Sequence, residues 1–323
     1  MPLLLATNRL GTGVTKWYSD ITETTSTTYY DTTWVGSAIW DTRSTVGSLW
    51  GGVQMPSAQA DMWFHFDYRG TSTTISPSIG IQFVDTAGNF VEVYYTSALG
   101  YHVRQSISGV VTQIGILTSL ASASVETFDF HITTGPTGYL EVFMNQVSKG
   151  APAAATGAGI GPVVAVNLGR LSGATSTATS QIIAHTDDTR EMKLRSRRPL
   201  ANGFYTDGTG GVADVNNLPT NTTTSKVFSN PGEKATFTVP SAAAAGNMVI
   251  EGLAVNTMAR NGGTAVAGAD AMLRIGGTDY TETLPAADAV FRPLPAIWQV
   301  NPATGVRFTD SIVDGSQIGT ETT

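Results

Sequence analysis

Between Met62 and His185 apolar and polar residues alternate with a period of two, and stripes with the helical period of 3.6 are nearly absent. Such a chain has one choice to make at every strand, namely which face meets a core. Met62-Trp63-Phe64-His65-Phe66-Asp67-Tyr68 reads as a strand that ends at Arg69-Gly70. Ile79–Val84 and Phe90–Thr96 follow, joined by Asp85-Thr86-Ala87-Gly88-Asn89, which has the composition of a tight hairpin loop. Tyr101–Ser106, Val110–Leu117, Val125–Ile132, Tyr139–Val147, Val163–Leu171 and Ser180–Thr186 continue the series, bounded by Gly, Ser or Pro. Short strands at this spacing with no helices between them close into an antiparallel sandwich or barrel.

A second block repeats the pattern. After the turn-rich stretch Asn202–Asn230, strands are expected at Lys234–Val239, Asn247–Ala259, Ala269–Ile275 and Thr278–Leu284, with Gly276-Gly277 as a two-residue hairpin turn. The 323 residues therefore divide into an N-terminal arm (1–14), a first sandwich (15–190), a basic linker (191–203) and a smaller C-terminal β-sandwich (204–323). The chain is all-β, and long enough to bury two cores without disulfides, which the absence of cysteine rules out.

Charged residues make up 13% of the chain, so Thr, Ser, Asn and Gly must supply most of the polar surface. A net charge of −7 argues against general nucleic-acid binding, which depends on basic groups meeting phosphates. No stretch approaches the roughly 20 apolar residues of a membrane span. The start Met-Pro-Leu-Leu-Leu-Ala has no basic region before its apolar run, so no export signal is expected there.

Trp63–Tyr68, the hairpin Ile79–Thr96 and Gly138-Tyr139-Leu140-Glu141-Val142-Phe143-Met144-Asn145 resemble the concanavalin A-like, laminin-G-like jelly rolls. That resemblance implies a jelly-roll sandwich over the first block. A second resemblance, to structural proteins of tailed bacteriophages, is carried by Asp187-Asp188-Thr189-Arg190, by Arg274-Ile275-Gly276-Gly277-Thr278-Asp279-Tyr280 and by Ile297-Trp298-Gln299-Val300-Asn301-Pro302-Ala303-Thr304-Gly305. In those proteins a Trp-Thr pair follows the Asn-Pro-Ala-Thr-Gly turn, whereas this chain has Val306-Arg307-Phe308-Thr309. The second resemblance implies a virion role and no chemistry.

Catalytic motifs are scarce. Jelly-roll glycosidases carry paired carboxylates on one face of a strand, but Glu126 and Asp129 are three apart and must face opposite sides, and Glu92 stands alone. His65, His102, His131 and His185 form no ligand pair of the His-x-His type, and neither a Gly-x-Ser-x-Gly elbow nor a phosphate-binding Gly-rich loop occurs. No enzyme is expected. Three binding features stand out. Trp17, Tyr18, Trp34 and Trp40 lie in a Thr/Ser-rich context suited to stacking on sugar rings, although such residues equally fill cores. Asp85 and Asn89 could hold calcium through oxygens on a rim loop, or form an Asx turn that braces the hairpin. Arg190, Lys193, Arg195, Arg197 and Arg198 concentrate basic charge where an acidic partner could dock, or form a solvated connector.

The expected function is accordingly a structural component of a tailed-phage virion, of tail or baseplate type, assembled in the host cytoplasm and sited on the particle exterior. Its partners would be other copies of itself (a trimer or another homo-oligomer), other virion proteins and a host-surface glycan. The alternatives are a capsid decoration or head-fibre protein, or a stand-alone lectin-like protein.

Overall fold

The computed structural model describes residues 3–7, 22–24, 39–41, 49–70, 79–96, 100–117, 126–150, 160–170, 177–194, 197–215, 225–241, 249–262, 266–287 and 292–323. The chain forms two compact units, Met1–Leu194 and Arg195–Thr323. Among the described residues no helix is long and apolar enough to cross a membrane.

The first unit contains fourteen described strands: β1 Leu3–Thr7, β2 Thr22–Thr24, β3 Ile39–Asp41, β4 Leu49–Gln59, β5 Asp61–Gly70, β6 Ile79–Asp85, β7 Phe90–Thr96, β8 Gly100–Ile107, β9 Val110–Ile116, β10 Glu126–Thr133, β11 Leu140–Met144, β12 Val147–Gly150, β13 Val163–Arg170 and β14 Thr177–His185. They form two antiparallel sheets. One runs β12-β11-β10-β5-β14-β3-β2, with β1 also on β14, and the other runs β4-β13-β6-β7-β8-β9. This is the jelly-roll sandwich. The residues expected to form a leading arm thus supply a strand, because Leu3 and Leu4 are buried where β1 pairs with β14.

Register decides which residues meet. On β5 and β10, Phe66 faces Phe128 and Phe64 faces Phe130. All four point inward, and Phe64 and Phe130 meet Phe83 of β6 from the opposite sheet, with ring centroids 6.0 Å and 5.7 Å from it. Aromatic burial on this scale dominates core energetics. The alternate residues of the same strands, including His65, Asp67, Asp129 and His131, are thereby turned to the outer face. The strand expected at Tyr139–Val147 is interrupted: Asn145 and Gln146 take positive φ (50° and 67°) and make the turn between β11 and β12.

The second unit holds β15 Ala201–Thr206, α1 Val212–Val215, β16 Lys234–Thr238, β17 Leu253–Ala259, β18 Ala269–Ile275, β19 Thr278–Thr283, β20 Arg292–Trp298, α2 Asp310–Asp314 and β21 Gln317–Thr322. A five-stranded sheet, β15-β16-β21-β18-β19, is opposed by the ribbon β17-β20. Their shared core includes Val255, Leu273, Ile275, Leu294, Trp298 and Phe308. It is a second, smaller β-sandwich. β15 begins inside the stretch expected to be linker, since its first residues pair with β16.

Candidate functional site

The outer face of the six-stranded sheet carries one polar row at right angles to the strands. Gly52 of β4 pairs with Asn167 of β13, and Asn167 with Gln82 of β6. Gln82 pairs with Glu92 of β7, Glu92 with Arg104 of β8, and Arg104 with Gln113 of β9. Strands lie about 4.8 Å apart, so this is a ladder of amides, a carboxylate and a guanidinium at regular intervals. The inward neighbours Ile81, Phe83, Val91, Val93 and Val103 belong to the core, which fixes the row outward. Gly52 ends the row because a Cβ there would stand 2.6 Å from Asn167 Oδ1.

Within the row, Asn167 Nδ2 donates to Gln82 Oε1 at 3.4 Å, and Arg104 Nε donates to Glu92 Oε2 at 2.5 Å. Exposure grades along it: Asn167, Gln82 and Glu92 are buried, the Arg104 side chain is 32% exposed, and Gln113 is exposed. The Arg104 guanidinium also lies 4.2 Å over the ring of Tyr94, whose cross-strand partner is His102. Burial pushes the Glu92 carboxyl above its ordinary pKa, with Arg104 pulling the other way and losing. Glu92 Oε1 and both ring nitrogens of His102 are buried without a hydrogen-bond partner. Orphaned polar atoms of this kind are uncommon in folded proteins and gather where a ligand, water or ion completes them.

The outer face of the eight-stranded sheet is spoken for differently. His65 and Asp129, paired across β5 and β10, are fully buried, with Nδ1 to Oδ1 at 2.8 Å. Thr189 Oγ1 donates to the same Asp129 oxygen at 2.7 Å. Asp187 N donates to His185 Nδ1, and Leu194 N to Gln181 Oε1, whose amide in turn donates to Asp67. Arg190 lies over Phe143 (4.5 Å) and Trp63 (5.5 Å), and Trp63 stacks on His131 at 4.4 Å. The segment Thr186–Leu194 is therefore a strap pinned across this sheet by a buried polar network. Beside it, Tyr139 Oη meets His131 Nδ1 at 2.6 Å while His131 Nε2 meets Asp61 at 2.9 Å. Burial, with the charges of Asp61 and Glu141, pushes the Tyr139 hydroxyl up, so this trio does not make an activated nucleophile.

No family model matches the chain, and no curated protein matches it. Among solved structures, a cellulose-induced protein (Cip1) is 13% identical, covering 54% of this chain and 90% of its own with a TM-score of 0.39. An endo-β-1,4-glucuronan lyase from the fungus Trichoderma reesei is 9% identical over 55% of this chain and 94% of its own, with a TM-score of 0.37. A carbohydrate-binding module (CBM66) from Bacillus subtilis is 9% identical over 51% of this chain and 92% of its own, with a TM-score of 0.34. At such identities and scores these likenesses describe shape and say nothing of ligand.

The residues singled out in the sequence fare unequally. Trp17, Tyr18 and Trp34 lie outside the described residues, and Trp40 is described only as a backbone position in β3, facing Thr179 of β14. Asp85 and Asn89 do come together. Asp85 Oδ1 accepts from Ala87 N (2.8 Å) and Asn89 N (2.9 Å), and Oδ2 from Asn89 Nδ2 (2.9 Å) and Gly161 N (2.8 Å). This is the Asx-turn geometry, tied also to the start of β13. Among the described residues no three His, Asp or Glu side chains gather as a metal set. Of the basic run, Arg190 pairs with Asp188 and Arg197 with Asp314, Arg198 is half-buried, Lys193 is exposed, and Arg195 lies outside the described residues. The polar row is absent from the sequence-based expectations: its members are single polar residues on separate strands, joined only by strand register.

Proposed function

We propose that this protein is a carbohydrate-binding β-sandwich that presents the outer face of its six-stranded sheet to a glycan. The observation that carries this reading is the row Asn167–Gln82–Glu92–Arg104–Gln113, with Tyr94 beside it. Sugars are recognised by planar side chains that donate and accept in fixed directions, set next to an aromatic face. The accessible end of this row, Arg104 and Gln113 beside the half-buried Tyr94, supplies both, with the buried Asn167, Gln82 and Glu92 holding Arg104 in place. It holds one carboxyl group among the described residues, where glycoside hydrolysis uses two, so binding without cleavage is the fitting activity. A glycan array probed with the protein tests it. Binding to a defined set of glycans that is lost in Tyr94→Ala and Arg104→Ala supports the reading, and an array blank for the unaltered protein overturns it.

A second reading concerns the other unit. Leu200 (63%), Phe204 (65%), Val249 (58%) and Val306 (62%) are exposed apolar side chains on it. They favour attachment to a larger assembly, such as a virion, that would display the first unit outward. Affinity-tagged protein that associates with no particle component would remove this reading while leaving the glycan site intact.

A further inference from the structure

Two cross-strand partners in the polar row, Glu92 and Arg104, each have hydrogen-bonding capacity left open. Arg104 reaches Glu92 through Nε alone, and among the described residues its two terminal nitrogens have no hydrogen-bond partner. Glu92 is fully buried and leaves Oε1 without one. We propose that the row takes an acidic glycan, a uronate carboxylate docking on the terminal N–H groups of Arg104 while Glu92 takes up a proton. The proposal rests on the glycan-binding reading above and names its ligand class.

The chemistry follows from counting charges. With Glu92 ionised, the Glu92–Arg104 pair is neutral and a second carboxylate would leave two anions sharing one cation, which favours protonating one of them. Glu92 is the one to yield: it has no solvent contact, whereas a uronate docked on the partly exposed Arg104 side chain keeps part of its hydration. One proton passes from solvent to the Glu92 carboxyl, one carboxylate arrives, and the net charge of the pair plus proton plus ligand is again zero. Planar guanidinium and planar carboxylate suit a two-point contact. The groups facing Glu92 are few. β8 contributes Arg104 and, diagonally, His102; β7 itself contributes Tyr94; β6 contributes the uncharged Gln82, which pairs across from it. Burial already tilts Glu92 toward its neutral form, which works in the same direction.

The test is calorimetric titration of the full chain with oligomannuronate, oligogalacturonate and oligoglucuronate, each beside its carboxyl-reduced neutral counterpart. An Arg–carboxylate contact predicts about ten- to a hundredfold tighter binding of one acidic oligomer over its reduced form. Affinity should rise from pH 7 to roughly pH 5, and fall again only when the uronates themselves protonate. Titration in buffers of different ionisation enthalpy should show net proton uptake at the higher pH. Glu92→Gln should bind tightly at pH 7 with the pH dependence flattened, and Arg104→Gln should lose the preference for the acidic form. Equal affinity for acidic and reduced oligomers overturns the inference and leaves glycan binding standing. Absence of binding to both overturns the two together. Acidic binding whose pH dependence survives in Glu92→Gln assigns the proton to another group, His102 first, and overturns the role of Glu92.

Discussion

Replacing Asp85 by alanine should destabilise the first unit by about 3 kcal/mol. The carboxylate accepts four hydrogen bonds, three from within its own hairpin and one from Gly161 N at the head of β13, 76 residues away. Net contributions of about 1 kcal/mol per bond give about 4 kcal/mol, less the relief of no longer burying a carboxylate. For a unit of this size each kcal/mol moves the unfolding midpoint by about 2–4 °C, so the expected loss is about 6–12 °C. Asp85→Asn should cost less, since one amide oxygen still accepts from the turn while the amide nitrogen meets two donors. The pH dependence has a definite sign. Burial pushes Asp85 up, but the bonds from Gly161, Asn89 and Ala87 together outweigh it and hold the carboxyl below its usual 3.8. Its stabilisation is therefore complete above that value and is lost as pH falls through the lower folded value, and Asp85→Ala should flatten the acid limb of the stability curve. Scanning calorimetry or chemical denaturation with chelator and with calcium decides the matter. A loss under about 1 kcal/mol, or a calcium-dependent rise of the midpoint present with Asp85 and absent in Asp85→Ala, would refute the bracing role and make the carboxylate an ion ligand.

Three other outcomes follow from the packing. Phe130→Ala, which empties the space between Phe66, Phe83 and Phe128, should cost about 3–5 kcal/mol in denaturant unfolding monitored on the first unit. Gly319→Ala should cost about 3 kcal/mol or more in the second unit, because a Cβ at that position stands 2.0 Å from Ala235 O, and β16 and β21 must separate to admit it. Thr189→Val removes the hydroxyl that donates to buried Asp129, and should loosen the strap by about 1.5–3 kcal/mol, read as faster amide exchange and proteolysis within Asp187–Leu194 than in β10.

The strands that alternation revealed are those with one clean apolar face. β5, β6, β7, β10 and β18 fall within a residue or two of their expected limits, and the Asp85–Asn89 and Gly276–Gly277 turns stand where their residues demanded. The strands that escaped have physical reasons to do so. β4 contains Gly51, Gly52 and Pro56, and β20 contains Pro293 and Pro295. Both lie at sheet edges or in a two-stranded ribbon, where a missing N–H breaks no central ladder, so proline there does not signal the end of a strand. β21 sits between β16 and β18, yet Gln317-Ile318-Gly319-Thr320-Glu321-Thr322 has little apolar content. Its central glycine serves close strand approach instead of core filling.

The polar row shows what kind of information a sequence withholds. Part of it follows from hairpin counting: with the turn fixed at Asp85–Asn89, Gln82 must lie across from Glu92, and with Ser108 and Gly109 at positive φ turning β8 into β9, Arg104 comes to face Gln113. Both pairs were therefore within reach of local rules. Joining them into one line needs the β7–β8 register, and extending it to Asn167 needs β13 to insert between β4 and β6, 85 residues along the chain from Gln82. No local pattern encodes that insertion. The tryptophan-rich start groups chemistry-bearing residues that are neighbours in sequence, whereas on a sheet the residues that act together are one per strand, spaced by whatever the loops require. A site built this way becomes visible only when every register is known. For that reason Glu92, which looks solitary along the chain, has Gln82 on one side and Arg104 on the other.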